Sequence, residues 1–203
     1  MINTYFKLIT VIFCGLILQA CGDAKLTPIH HHATILAFGD SLTYGKGVEE
    51  ENSYPSVLAD LTNREVINAG ISGETTKQGL ARLNSVLEES DPQLMILLEG
   101  GNDILRNKNL SQTKKNLADM IETAQAYGVQ VVLIGVPEKK LFSSSAHIFS
   151  ELAEQYDLVF EGKLIASLLR SPEYKSDSVH FNEKGYEKMA QSIFELLQDQ
   201  GAL

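Results

Sequence analysis

The chain has 203 residues, 44% hydrophobic and 21% charged, with fifteen glycines and five prolines, which suits one globular domain around a single core. Seventeen Lys and Arg stand against twenty-six Asp and Glu, a formal charge of −9, so the basic footprint of a phosphate-backbone binder is missing and no nucleic-acid partner is expected. The only strongly apolar run, residues 8–18, is eleven long, whereas a bilayer-spanning helix needs about twenty; a spanning protein is disfavoured.

That run lies near the start of the chain. Lys7 and the free amino terminus precede it, the pattern of a secretory signal. It ends in Leu18-Gln19-Ala20-Cys21, which resembles the lipobox of bacterial lipoproteins, where cleavage falls before the cysteine and its thiol carries a diacylglyceryl group. The resemblance implies a signal peptide at residues 1–20 and lipidation at Cys21. Cleavage there would remove Cys14 and leave one cysteine, itself modified, so no intramolecular disulfide could form. Two or more acyl chains would hold the protein stably at a membrane, as an exported bacterial lipoprotein facing the periplasm or the cell exterior. Residues 21–33 carry Pro28 and no apolar periodicity, and read as a flexible tether with a reach of roughly 40 Å when extended. Within it His30, His31 and His32 cannot all face one ion and have no carboxylate beside them; a solvated linker is expected, and no metal.

From residue 34 the chain alternates short apolar runs with stretches of helical spacing. Strands are expected at 35–38, 65–68, 94–98, 131–134 and, more weakly, 158–160. Near-continuous apolar runs such as Leu94 to Leu98 suit strands buried on both faces. One helical stripe joins Leu110, Leu117, Ile121 and Ala124, and another joins Met189, Ile193, Leu196 and Leu197 near the end. Alternation of this kind implies an α/β domain with a parallel sheet covered on both sides. Functional loops in such sheets leave the carboxyl ends of the strands.

Four segments there are chemically distinctive. Gly39-Asp40-Ser41-Leu42-Thr43 follows the first strand, where Ser41 could present a hydroxyl or cap a helix. It is not the G-x-S-x-G elbow, because Thr43 replaces the second glycine. After the second strand, Gly70 and Gly73 in residues 68–76 free the backbone to turn amides into a cleft, or simply make a tight turn capped at Thr75 or Thr76. After the third strand, Glu99-Gly100-Gly101-Asn102-Asp103 removes side-chain bulk and offers the Asn102 amide, and also reads as a turn. Near the end, Asp177 and His180 stand three residues apart on one loop, close enough to pair.

Together, in order and spacing, these segments resemble the four signature blocks of the SGNH hydrolases, also called the GDSL esterase/lipase family. The likeness runs from residue 34 to the end. It is strongest to the bacterial multifunctional thioesterase I, protease I and lysophospholipase L1 subgroup, which residues 68–83 also resemble. What the resemblance implies is a single domain at 34–203, a three-layer α/β/α sandwich on a mostly parallel, flavodoxin-like five-stranded sheet. It implies catalytic Ser41, His180 and Asp177, with an oxyanion hole formed by the backbone N–H groups of Ser41 and Gly73 and the side chain of Asn102. Ser41 would be the nucleophile, His180 the base and then the acid, and Asp177 the group that fixes the imidazole tautomer. No cofactor is implied.

Two features depart from the family pattern. Phe181 follows His180 where proline is frequent, and residues 104–110 and 137–144 show no extended apolar groove, which gives no support for a preference for long acyl chains. The expected activity is hydrolysis of lysophospholipid, aryl or short-chain acyl esters, with thioesters as a further substrate in vitro. Deacetylation of cell-envelope carbohydrate, and a lipoprotein that binds without turnover, are the alternatives. A monomer is expected.

Overall fold

The computed structural model describes residues 26–138 and 144–203. The expected signal peptide and Cys21 lie outside the described residues, as does most of the 137–144 segment. Among the described residues, the chain order is β1 (Ile35–Gly39), α1 (Ser41–Tyr44), α2 (Tyr54–Thr62), β2 (Val66–Gly70), α3 (Thr76–Ser90), β3 (Leu94–Leu98), α4 (Gly101–Leu105), α5 (Leu110–Ala126), β4 (Gln130–Ile134), α6 (His147–Gln155), β5 (Val159–Glu161), α7 (Leu164–Arg170) and α8 (Glu183–Asp199).

All five strands are parallel, in the order β2-β1-β3-β4-β5, the flavodoxin-like doubly wound arrangement. β1 and β3 are central and buried along their whole length, which is why their sequences are continuous apolar runs rather than alternating ones. The edge strand β2 is half-buried throughout and tolerates Asn68. On one side α2 and α7 pack against α8; on the other α3 and α6 pack against α5. The expected three-layer sandwich is thus what forms, and the strand positions differ from the sequence reading by one or two residues at their ends. Of the two helical stripes, Leu117, Ile121, Ala124, Met189, Ile193 and Leu197 are buried, while Leu110 and Leu196 sit at the margin of the core.

The expected tether is different. Its described part, residues 26–33, is docked: Leu26, Ile29 and Ala33 are buried with the core. The Leu26 and Ile29 amides donate to the carbonyls of Gln200 and Ala202 at 3.1 and 3.0 Å. The Thr27 and His30 amides donate to the side chains of Gln130 and Gln93 at 2.7 and 2.8 Å. Two buried aliphatic side chains spaced three apart outweigh the lack of regular periodicity that suggested a free linker. Residues 26–33 therefore pack with the domain expected at 34–203. His31 and His32 are exposed, and no group of three metal-ligating side chains occurs among the described residues.

Burying Leu26 and Ile29 stabilises by about 3 kcal/mol or more. A chain starting at residue 34 should therefore unfold at a clearly lower urea concentration than one starting at residue 26; equal midpoints would mean that the strap contributes nothing.

Candidate active site

The Asp40 side chain accepts the Leu42 amide at 3.0 Å and so caps α1. Ser41 is thereby the first residue of the helix and not its cap, and its hydroxyl is free for another partner. That partner is His180, whose Nε2 lies 3.1 Å from Ser41 Oγ across 139 residues of sequence. The other ring nitrogen, Nδ1, is 2.7 Å from Asp177 Oδ2. A carboxylate only accepts, so Nδ1 carries the proton and, in the neutral ring, Nε2 accepts from the serine hydroxyl.

The loop holding Asp177 and His180 is locally determined. Asp177 Oδ1 accepts the amides of Val179 and His180 at 2.8 and 2.9 Å, which folds the carboxylate back over its own turn. Burial pushes the Asp177 carboxyl up, but the bonds from the His180 ring and from these two amides outweigh it and hold it at about 2. Its folded value is depressed, so the stabilisation it brings is present above the ordinary carboxylate range and is lost as pH falls toward 2. Phe181, the residue that replaces proline, is fully buried and stacks edge-on against Tyr186 with ring centres 5.6 Å apart. Packing thus fixes the position next to His180. Asn182 then caps α8 by accepting the Gly185 amide.

The loops after β2 and β3 meet the same edge. Gly70 has no room for a side chain, since a Cβ there would stand 2.1 Å from the Tyr44 amide nitrogen, and Gly73 adopts φ +83°, which favours glycine. Thr75, one of the two proposed caps, forms a capping box with Gln78 at the start of α3. Asn102 Nδ2 donates to Asp40 Oδ2 at 3.3 Å, so its amide is tethered beside Ser41. The structure therefore brings Ser41, His180 and Asp177 into one hydrogen-bonded set, with Asn102 bonded to Asp40 beside it and Gly73 on the adjoining loop.

Several polar groups that support this site have no assigned role in the sequence reading. Arg106 Nη2 donates to the Gly73 carbonyl at 3.0 Å. Asp103 accepts the Thr76 amide and hydroxyl at 2.8 and 2.9 Å, tying α4 to the start of α3. Asp40, Glu74, Glu99 and Asp103 are all buried. Burial pushes the Asp40 carboxyl up to about 6; the Leu42 amide and His180 lower it, while Glu74 and Asp103 raise it. Asp40 and Glu99 each directly follow a strand, the one positional signal the sequence offers for them; Glu74, Asp103 and Arg106 carry none.

A doubly wound parallel sheet with a carboxylate, an imidazole and a serine hydroxyl in line at its carboxyl edge defines the class as serine hydrolases. The chain belongs to the GDSL-like lipase/acylhydrolase family, whose family model matches residues 37–188. It is 34% identical over 153 residues to the arylesterase of Vibrio mimicus, covering 70% of this chain and 76% of the relative. It is 29% identical over 157 residues to "Thioesterase 1/protease 1/lysophospholipase L1" of Escherichia coli K12, covering 73% and 76%. To esterase TesA of Pseudomonas aeruginosa it is 38% identical over 108 residues, which is 51% of this chain and about half, 54%, of that relative. A more distant relative, 26% identical over 114 residues with 49% and 46% covered, is the uncharacterized lipoprotein YqeF of Bacillus subtilis. Among solved structures, AlinE4, an SGNH-hydrolase family esterase, matches with TM-score 0.66 and 31% identity, over 84% of this chain and 97% of that one. Esterase EstA from Pseudoalteromonas matches in fold with TM-score 0.75 at 23% identity, over 82% and 97%.

The raised value of Asp40 sets the sign of a pH effect. A carboxyl whose folded pKa exceeds its unfolded one makes stability fall as pH rises between the two, here from about 4 to about 6, and a two-unit shift costs on the order of 3 kcal/mol at neutral pH. Asp40→Asn should flatten that decline and raise the urea midpoint at pH 7 while lowering turnover, because with Oδ1 kept on the Leu42 amide the new NH2 stands where Oδ2 accepted from Asn102, and an NH2 only donates. A variant with unchanged stability at pH 7 would show that Asp40 is not held there as a strained anion.

Proposed function

We propose that the protein is a serine esterase that hydrolyses carboxylic acyl esters through an acyl-enzyme intermediate. The observation that carries this reading is the unbroken Asp177–His180–Ser41 relay, with bonds of 2.7 and 3.1 Å. His180 Nε2 takes the Ser41 proton as Oγ attacks the acyl carbon, then returns it to the departing alcohol or thiol. Asp177, anionic over the whole neutral range, holds the ring tautomer and offsets the imidazolium charge. The oxygen of the tetrahedral intermediate is received by the N–H groups of Ser41 and Gly73 and by the Asn102 side chain. Water repeats the sequence on the acyl-enzyme and frees Ser41.

The substrate class follows from the surroundings. Tyr44, Ile71 and Leu105 are the exposed large apolar residues on the three loops that carry the site, at 54%, 46% and 45% exposure. They offer an open apolar rim suited to aryl, short-chain or lysophospholipid esters and to thioesters. We further propose attachment to a membrane through a lipidated Cys21, supported by the lipobox-like sequence and by the relative named as a lipoprotein.

Removal of one oxyanion donor costs on the order of 3 kcal/mol of barrier, so Asn102→Ala should reduce kcat about 100-fold or more on p-nitrophenyl esters with a much smaller change in KM. Ser41→Ala should abolish both turnover and covalent labelling by a fluorophosphonate; labelling at another residue would refute the nucleophile. Cys21→Ser should release the protein from membranes in a fractionation experiment, and continued retention would refute lipidation.

A further inference from the structure

Beneath the site lies a carboxyl that the reaction does not use. Glu99 follows β3 and precedes Gly100-Gly101-Asn102, and its side chain is fully buried. Oε2 accepts the Gly100 amide at 3.1 Å, but no donor reaches Oε1. A Cβ placed on Gly79 of α3 would sit 3.3 Å from Oε1, 3.1 Å from Met120 Cε of α5 and 3.3 Å from Phe38 Cε1 of β1, so this oxygen lies among apolar atoms. An unpaired anion there would be very costly.

The acid beside Glu99 is Glu74, itself buried and directly following Gly73: the Phe38 ring that stands with Glu99 Oε1 around Gly79 is the ring covered by Arg82, the ion partner of Glu74. Arg82 grips Glu74 with Nε at 2.8 and 3.0 Å from its two oxygens. The same guanidinium donates to the Ala69 carbonyl at 2.8 Å and lies over the Phe38 ring. One cation compensates one carboxylate and not two. Two ionised carboxylates repel, whereas a single proton between them makes a hydrogen bond. Glu74 is the ion partner of Arg82, so the proton resides on Glu99. Burial first, then the charges of Asp40 and Glu74, push the Glu99 carboxyl well above the usual carboxylate range. The charged groups facing it are Asp40 from the end of β1, Glu74 from the β2–α3 loop and Arg82 behind Glu74 on α3; from α5 the apolar Met120 comes close to the same place.

We infer that Glu99 is a positioning residue that stays protonated at neutral pH and donates its proton to Glu74, fastening the loop that carries Gly73 to the loop that carries Asn102. The inference rests on the reading of Gly73 and Asn102 as oxyanion donors. The two donors stand one and three residues from the bonded carboxyls, so a single shared proton sets their separation. When that proton leaves at alkaline pH, like charges in a dry pocket push the loops apart and the hole loses its shape.

The test uses the whole protein. Infrared spectra in neutral buffer should contain a protonated-carboxyl band that Glu99→Gln lacks; absence of this band from the wild type overturns the proposal whatever the activity. Between neutral and alkaline pH the wild type should lose kcat with KM nearly constant. Glu99→Leu should be slower at every pH, by about tenfold or more. Glu99→Gln, whose amide can donate to Glu74, should recover most of that loss and lack the alkaline decline. A Glu99→Gln enzyme with the wild-type decline, or a Glu99→Leu enzyme with the wild-type kcat, overturns the proposal; if Glu99→Leu does not fold, the Glu99→Gln profile and the infrared band decide. A wild type with the band but no esterase turnover means that the proposed activity has failed rather than the shared proton, and the positioning role falls with it.

Discussion

The hydrogen bond between His180 and Ser41 joins the first helical turn of the domain to the loop before its last helix, and almost everything else in the molecule serves to make that bond possible. Parallel strands deliver all their carboxyl ends to one edge. With β1 between β2 and β3 in the sheet, Ser41 emerges at that edge flanked by the loops of β2 and β3. His180 must come from elsewhere. Its loop is closed by the short antiparallel bridge between Lys175 and Phe181 and pinned by the burial of Phe181. A rigid strand on one side and a packed aromatic on the other leave the imidazole little freedom except to face the hydroxyl.

The same edge carries an unusual density of buried acids. Asp40 orients Asn102, Asp103 secures the start of α3, and Glu74 and Glu99 meet beneath the loops of Gly73 and Asn102. Each would be expensive in isolation, and each is compensated differently: by the Leu42 amide and the Asn102 side chain for Asp40, by threonine and backbone donors for Asp103, by Arg82 for Glu74 and by retained protonation for Glu99. The site is rigid because these polar groups permit few alternative arrangements. Stability is given up where chemistry is placed, a pattern common to catalytic clefts.

Much of the fold was legible because its signals were local. The buried run of β3 was located at 94–98 from apolar continuity alone, and the loops betrayed themselves through Gly39 before Ser41, Gly70 and Gly73 after β2, and the Gly100-Gly101 pair next to Asn102. The roles of Ser41, His180 and Asp177 came through family resemblance, since nothing in the spacing of residues 41 and 180 requires them to meet. What stayed hidden was long-range. The docking of Leu26 and Ile29 depends on Gln93, Gln130 and the end of α8, none of which is near them in sequence. Arg106 and Glu99 read as ordinary loop polars because their partners, Gly73 and Glu74, come from another segment. For the same reason the packing of Phe181 against Tyr186, which holds the loop where proline is frequent in the family, could not be read from the sequence.

The strap formed by residues 26–33 binds at Gln93 and Gln130, just ahead of β3 and at the start of β4, and at the carbonyls of Gln200 and Ala202 after α8. These groups mark the amino-terminal pole of the sheet, whereas Ser41 lies at the carboxyl-terminal pole. The molecule thus has a back and a front. The strap therefore meets the fold at the pole opposite Ser41, and the loops that carry the site stay clear of it.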